Sequence, residues 1–182
     1  MKTAVVFFAD GFEECEGLLV VDLLRRAKIN VITASVMGRK EILSSHRISL
    51  QADALAEEVD FSLADMVILP GGIPGTNHLA ASETVKAQCL AFAEKKKLSA
   101  ICAAPSVLAA LGLLKGKEAT CYPSFEEKMA GAVMSGKDVS VAGNIITGRA
   151  LGAAIPFALE LIRQLEGEET AQHVADTICY NK

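Results

Sequence analysis

Three short, continuously apolar runs constrain the fold more than anything else in the chain: residues 3–9 (TAVVFFA), 65–69 (DMVIL) and 98–101 (LSAI). A strand with one wet face alternates apolar and polar residues. A strand covered on both faces does not. Residues 29–35 (INVITAS) are β-branched and read as a further strand. Between these runs lie segments of helical period: residues 14–27, with Leu18, Leu19, Asp22, Leu23 and Arg26 at helical spacing, and residues 82–96, opened by Ser82 as N-cap with Glu83 in the first turn. Residues 105–113, 125–130, 150–166 and 169–179 supply further helices. Residues 42–43 and 48–50 could form a small hairpin or an excursion, 118–121 read as a short strand, and 139–142 pairs with 145–147 around Gly143-Asn144. Strands alternating with helices imply a three-layer α/β/α sandwich on a mostly parallel sheet. No linker, repeat or low-complexity stretch interrupts residues 1–182, so one domain is expected.

In such folds ligands gather where strands end. That rule selects the loops after Ala9, Leu69, Ile101 and Thr147. Composition narrows the partners. The net charge is −4 and the only basic run is Lys95-Lys96-Lys97. We read that run as a solvated helix end, which disfavours nucleic acid or an anionic membrane as a main partner. The N-terminus carries no signal pattern and the longest uncharged run is too short to span a bilayer, so a soluble cytoplasmic protein is expected. Five cysteines without a CxxC spacing disfavour a disulfide framework and a cysteine-based zinc site, and no metal is expected.

Each loop carries a bland and a sharp reading. After Ile101 the chain reads Cys102-Ala103-Ala104-Pro105. Small neighbours and a proline at the start of a helix suit a nucleophile held on a tight strand-to-helix turn, where the helix N-terminus favours thiolate. The same cysteine equally suits a core as a small hydrophobe. After Leu69, Pro70-Gly71-Gly72-Ile73-Pro74-Gly75 lacks the lysine of a phosphate loop. Its N–H groups, with that of Ala103, could face an oxyanion, or it is a plain turn. After Ala9, Glu13, Glu14 and Glu16 complement a helix dipole, or one of them points into the cleft as a buried carboxyl with a raised pKa beside the thiol. Cys15, Cys89, Cys121 and Cys179 read as core or surface thiols.

Taken in order, FADGFEECE, ILPGGIPG, AICAAPSVLAALGLL, CYPSFEEKM and NIITGRALGAAIPFALELI resemble the ThiJ/PfpI superfamily, and within it the branch of the Parkinson-disease protein deglycase and its bacterial relatives. The resemblance covers nearly the whole chain. It implies a flavodoxin-like fold, a homodimer, Cys102 as the reactive cysteine, Glu16 as the carboxyl hydrogen-bonded to it, and the backbone of Gly72 and Ala103 as donors beside it. It places Arg26 and His46 near a dimer interface and Arg149 in a basic segment, which here reads TGRALG without the usual proline. No histidine follows Cys102, and Tyr122 stands before Pro123 where some members carry a histidine. Of the other histidines, His173 reads as a surface residue and His78 follows the glycine loop. A Cys–His dyad is therefore not implied.

The functions implied are cofactor-independent. The first is removal of reactive dicarbonyls, or reversal of early glycation, through a Cys102 hemithioacetal. The second is a non-enzymatic redox sensor or chaperone switched by oxidation of Cys102. A third label attached to the superfamily, thiazole phosphate biosynthesis, finds no phosphate or thiazole site in these residues.

Overall fold

The computed structural model describes residues 1–180. Its centre is a seven-stranded sheet built from β1 (Thr3–Phe8), β2 (Asn30–Ser35), β5 (Ala54–Leu55), β6 (Met66–Leu69), β7 (Lys97–Ile101), β10 (Val139–Ala142) and β11 (Ile145–Gly148). The spatial order is β10-β11-β7-β6-β1-β2-β5. All neighbours are parallel except β10 and β11, which form the antiparallel hairpin expected around Gly143-Asn144. Two minor sheets lie outside: β3 (Glu41–Leu43) with β4 (Ser49–Gln51), and β8 (Glu118–Ala119) with β9 (Val133–Met134).

Successive residues of β1 feed opposite cores. Ala4, Val6 and Phe8 pack with α1 (Glu14–Arg26), α5 (Ala154–Glu166) and α6 (Glu168–Thr177), meeting Leu24, Phe157 and Leu161. Val5 and Phe7 face α2 (Gly75–Ala81), α3 (Glu83–Lys95) and α4 (Pro105–Ala110), meeting Leu79, Phe92 and Leu108. The continuous apolar runs thus have their physical cause: each strand has no wet face. This is the flavodoxin-like α/β sandwich read from the sequence.

Several boundaries differ. α4 stops at Ala110 because the turn that follows uses Gly112 at φ +75°. Residues 118–121 keep only a two-residue strand, and residues 123–128 wind as a tight 3₁₀ turn instead of an α-helix. A 3₁₀ turn at Leu151–Ala153 precedes α5. α2 lacks a sequence signal, since its first residue is a glycine and its cap a proline. Lys96 is half-buried instead of free in solvent: its Nζ donates to the carbonyls of Phe61, Ser62 and Ala64 at 3.2, 2.9 and 2.5 Å and pins the connection before β6.

Candidate active site

Parallel β1, β6 and β7 are in register, so their carboxyl ends deliver three loops to one point. The third loop carries Cys102 at φ +65°, a left-handed conformation that costs a non-glycine residue about 1–3 kcal/mol. The surroundings hold it there. The Cys102 N–H donates to Gly148 O at 2.9 Å, and its carbonyl accepts the Tyr122 N–H at 2.8 Å. Ala103 and Ala104 are buried and Pro105 opens α4. The turn lifts the half-buried thiol away from the strand, the geometry of a nucleophile elbow.

The glycine loop is shaped by close approach. A Cβ on Gly71 would stand 2.6 Å from Cys102 Cβ and 2.7 Å from Glu16 Oε2. Gly72, at φ +90°, lies against the backbone of Phe12 and Glu13. Only glycine admits both contacts. The Ile73–Pro74 peptide is cis. The first loop closes against the second, with the Glu13 N–H donating to Gly71 O at 2.9 Å and the Gly75 N–H to Gly11 O at 3.1 Å.

Glu16 reaches this point from the first turn of α1. It is 1% exposed, accepts the Gly71 N–H at 3.1 Å and hydrogen-bonds the Cys102 thiol. The N–H groups of Ala103 and Gly72 point at the same sulfur. Burial pushes the Glu16 carboxyl up to about 7; the Cys102 thiol and the Gly71 N–H oppose the rise, and the charge of Glu13 adds to it. The thiol does not follow the expectation of a lowered pKa. Burial, then the charge of ionised Glu16, pushes it up to about 12 against the two N–H donors. α4 starts three residues later and has only six residues, so its dipole does little at the sulfur. Between pH of about 7 and about 12 Glu16 and Cys102 therefore hold one proton between them, and whenever that proton is on Glu16 the sulfur loses a like-charged neighbour and gains a donor.

The structure brings together Cys102, Glu16, Gly72 and Ala103. It does not bring the other named residues there. Arg26 is exposed at the far end of α1, paired with Asp22 at 2.7 Å. Arg149 is exposed beyond β11. His46 stands beside Glu14, its Nδ1 2.8 Å from Glu14 Oε1. His78 lines a depression with Val36, Met37 and Glu57, and His173 is exposed on α6. Two participants escaped the sequence reading. One is the Gly71 N–H on Glu16; the first glycine of the pair was its only signal. The other is the Tyr122 N–H on the Cys102 carbonyl, which no local pattern marks.

The DJ-1/PfpI family model matches residues 2–164. Protein dj-1beta of Drosophila melanogaster is 37% identical over 186 residues, covering 99% of both chains. Protein DJ-1 homolog B of Arabidopsis thaliana is 38% identical over 167 residues, 91% of this chain, which spans only 38% of that plant protein. The structure titled "Toxoplasma gondii DJ-1, oxidized" superposes with a TM-score of 0.96 at 32% identity over the full length of both chains. With the elbow cysteine, the buried carboxyl and the glycine loop in place, the family model and these relatives agree: the chain belongs to the DJ-1/PfpI family.

Proposed function

We propose that this protein removes reactive dicarbonyls by covalent catalysis at Cys102, with Glu16 as its proton shuttle. The observation that carries the reading is a buried carboxyl near neutral pKa hydrogen-bonded to an elbow thiol that also accepts two backbone N–H groups. The steps balance without a cofactor. Cys102 sulfur, its proton on Glu16, bonds to the aldehyde carbon of methylglyoxal, and Glu16 returns the proton to the new alkoxide. The hemithioacetal then loses its C1 hydrogen as a proton to the Glu16 carboxylate and regains one at C2. C1 is oxidised and C2 reduced within one molecule. Water hydrolyses the resulting thioester, releasing lactate and the thiol. The N–H groups of Gly72 and Ala103 are the donors available to the oxyanion. Early glycation adducts on amines are substrates of the same chemistry.

The test is lactate formation from methylglyoxal, with Cys102→Ala in parallel. Many equivalents of lactate per chain, lost in Cys102→Ala, support the reading. Full activity in that variant sinks it.

One observation favours a second reading, a redox sensor. A protonated Glu16 is placed to donate to a Cys102 sulfinate, and the similar Toxoplasma structure is titled as oxidized. Mild peroxide followed by mass spectrometry should then find oxidation concentrated on Cys102. Oxidation spread over all five cysteines counts against it. For either reading we propose a homodimer, supported by Leu18 on α1 and by Leu43 and Ile48 on the adjoining hairpin, all exposed. No helix among the described residues is long and apolar enough to cross a membrane.

A further inference from the structure

The two N–H groups that face the Cys102 sulfur each belong to a peptide unit whose other end is also bonded. In a trans peptide the N–H and C=O lie in one plane and point opposite ways, so a bond that fixes the carbonyl fixes the N–H. The Gly72 N–H shares its plane with Gly71 O, which accepts the Glu13 N–H at 2.9 Å. The Ala103 N–H shares its plane with Cys102 O, which accepts the Tyr122 N–H at 2.8 Å. The two bonding partners are alike. Glu13 caps α1 and Tyr122 caps the 3₁₀ turn at 123–128, and both are extended, at φ −76° and ψ 108° and at φ −59° and ψ 133°. The N–H of a cap residue lies outside the ladder of its own helix, so it is free to bond elsewhere.

We propose that the N–H groups of Glu13 and Tyr122 are positioning groups for the thiol site: each locks one peptide plane so that its N–H, and not its carbonyl, faces the sulfur. This deepens the proposed function and rests on Cys102 being the reacting group. The locks are needed because local preference does not supply them. Turning the Gly71–Gly72 peptide over reverses the sign of φ at Gly72, now +90°, and glycine adopts either sign. A carbonyl turned to the sulfur would oppose the thiolate and the oxyanion formed beside it, where a donor stabilises both. Tyr122 is 45% exposed, and the bond it gives Cys102 comes from its backbone. Any residue except proline supplies such an N–H, which is why neither lock leaves a mark in the sequence.

The test is the rate of Cys102 alkylation by iodoacetamide against pH, read at that residue by mass spectrometry. The reacting species is thiolate beside protonated Glu16, so the rate rises through about 7 and then levels. Glu16 and the charge of Glu13 set the inflection, and the two N–H donors set the height of the plateau. Proline removes the N–H and fits the φ of both positions, whereas alanine keeps it. Each proline variant is compared with the alanine variant of the same position, which loses the same side chain. We expect the plateau of Tyr122→Pro to lie roughly 10-fold below that of Tyr122→Ala, and Glu13→Pro roughly 10-fold below Glu13→Ala, with the inflection shared within each pair. A loop that is merely loosened would wet Glu16 and move the inflection toward ordinary carboxylate values. Equal plateaus within either pair, or an inflection that differs between proline and alanine, would overturn the proposal. The parent chain supplies a check that needs no variant to fold: the Glu13 and Tyr122 amides should exchange with deuterium more than about 100-fold slower than free amides. Fast exchange at either overturns the proposal as well. The readout is alkylation and not lactate, so a parent chain without methylglyoxal turnover would sink the proposed function while the plateau ratios still decide this one.

Discussion

Glu14 and Glu16 lie two residues apart in the first turn of one helix, and both are almost fully buried. They titrate in opposite directions. Burial would raise both. At Glu14 its own N–H, the hydroxyls of Ser44 and Ser45 and the His46 N–H outweigh burial and hold the carboxyl down at about 2. At Glu16 burial wins, because one N–H and one thiol oppose it, and the carboxyl rises to about 7. Depth alone does not set a carboxyl's state; the number of donors aimed at it does. The chain thus builds one carboxylate that stays charged and fixes a loop, and one acid that can give up its proton near neutrality. Only the second is suited to chemistry.

Glu16→Gln attacks this difference most directly. Gln keeps the shape and loses the exchangeable proton, so methylglyoxal turnover should fall roughly 100- to 10,000-fold. Turnover within a few-fold of the parent would remove Glu16 from the mechanism. The same variant should be more stable than the parent. A raised carboxyl pKa means that between pH 4.5 and about 7 the folded state binds more protons than the unfolded state, so Glu16 lowers stability as pH rises through that window. Above it the full penalty is about 3 kcal/mol. Denaturant unfolding should therefore show Glu16→Gln ahead of the parent at pH 8 and level with it at pH 4. A loss of stability at pH 8 would show that Glu16 is held ionised after all.

Glu14→Gln should behave oppositely. Its depressed pKa gives stability that is present above pH 4.5 and lost as pH falls toward 2. Replacing a buried, multiply bonded carboxylate with an amide should cost about 1–3 kcal/mol at pH 7, with the difference closing in acid. A neutral result would mean that the hairpin carrying Ser45 does not need the charge. Gly71→Ala tests the packing between Glu16 and Cys102. Its methyl would stand 2.6 Å from Cys102 Cβ and 2.7 Å from Glu16 Oε2, and we expect about 1–3 kcal/mol of destabilisation by overpacking, read by the same unfolding curve.

What separates these two acids was only partly legible in the sequence. The layered fold was, because continuous apolar strands admit few arrangements. Cys102 on its turn was, because Ala103, Ala104 and Pro105 leave a local mark. That one acid of Glu13, Glu14 and Glu16 would sit by the thiol was legible as a set of alternatives. The resemblance to a family selected Glu16. Its pKa direction followed from burial; the thiol's was expected to fall with the helix N-terminus, but burial of the sulfur, and then the charge of Glu16 brought to it from 86 residues away, outweighs that end of the helix. The state of Glu14 was not legible at all, because its donors come from a hairpin that only the fold sets against α1.

Arg26 supplies the smallest effect and the sharpest limit on the comparison. It shares α1 with both acids but sits at the opposite end, exposed and paired with Asp22 four residues earlier. An exposed pair of that spacing is worth about 0.3–0.5 kcal/mol. Arg26→Ala should therefore shift the unfolding midpoint slightly and leave turnover unchanged. Its value lies in concentration dependence. If the chain pairs through the face that α1 shares with the hairpin, Arg26→Ala should lower the sedimentation-derived dimer affinity while the Glu16 pH profile stays in place. A change in that pH profile would mean that the charge at the far end of the helix reaches the site. The local donor count would then be an incomplete account of why Glu14 and Glu16 differ.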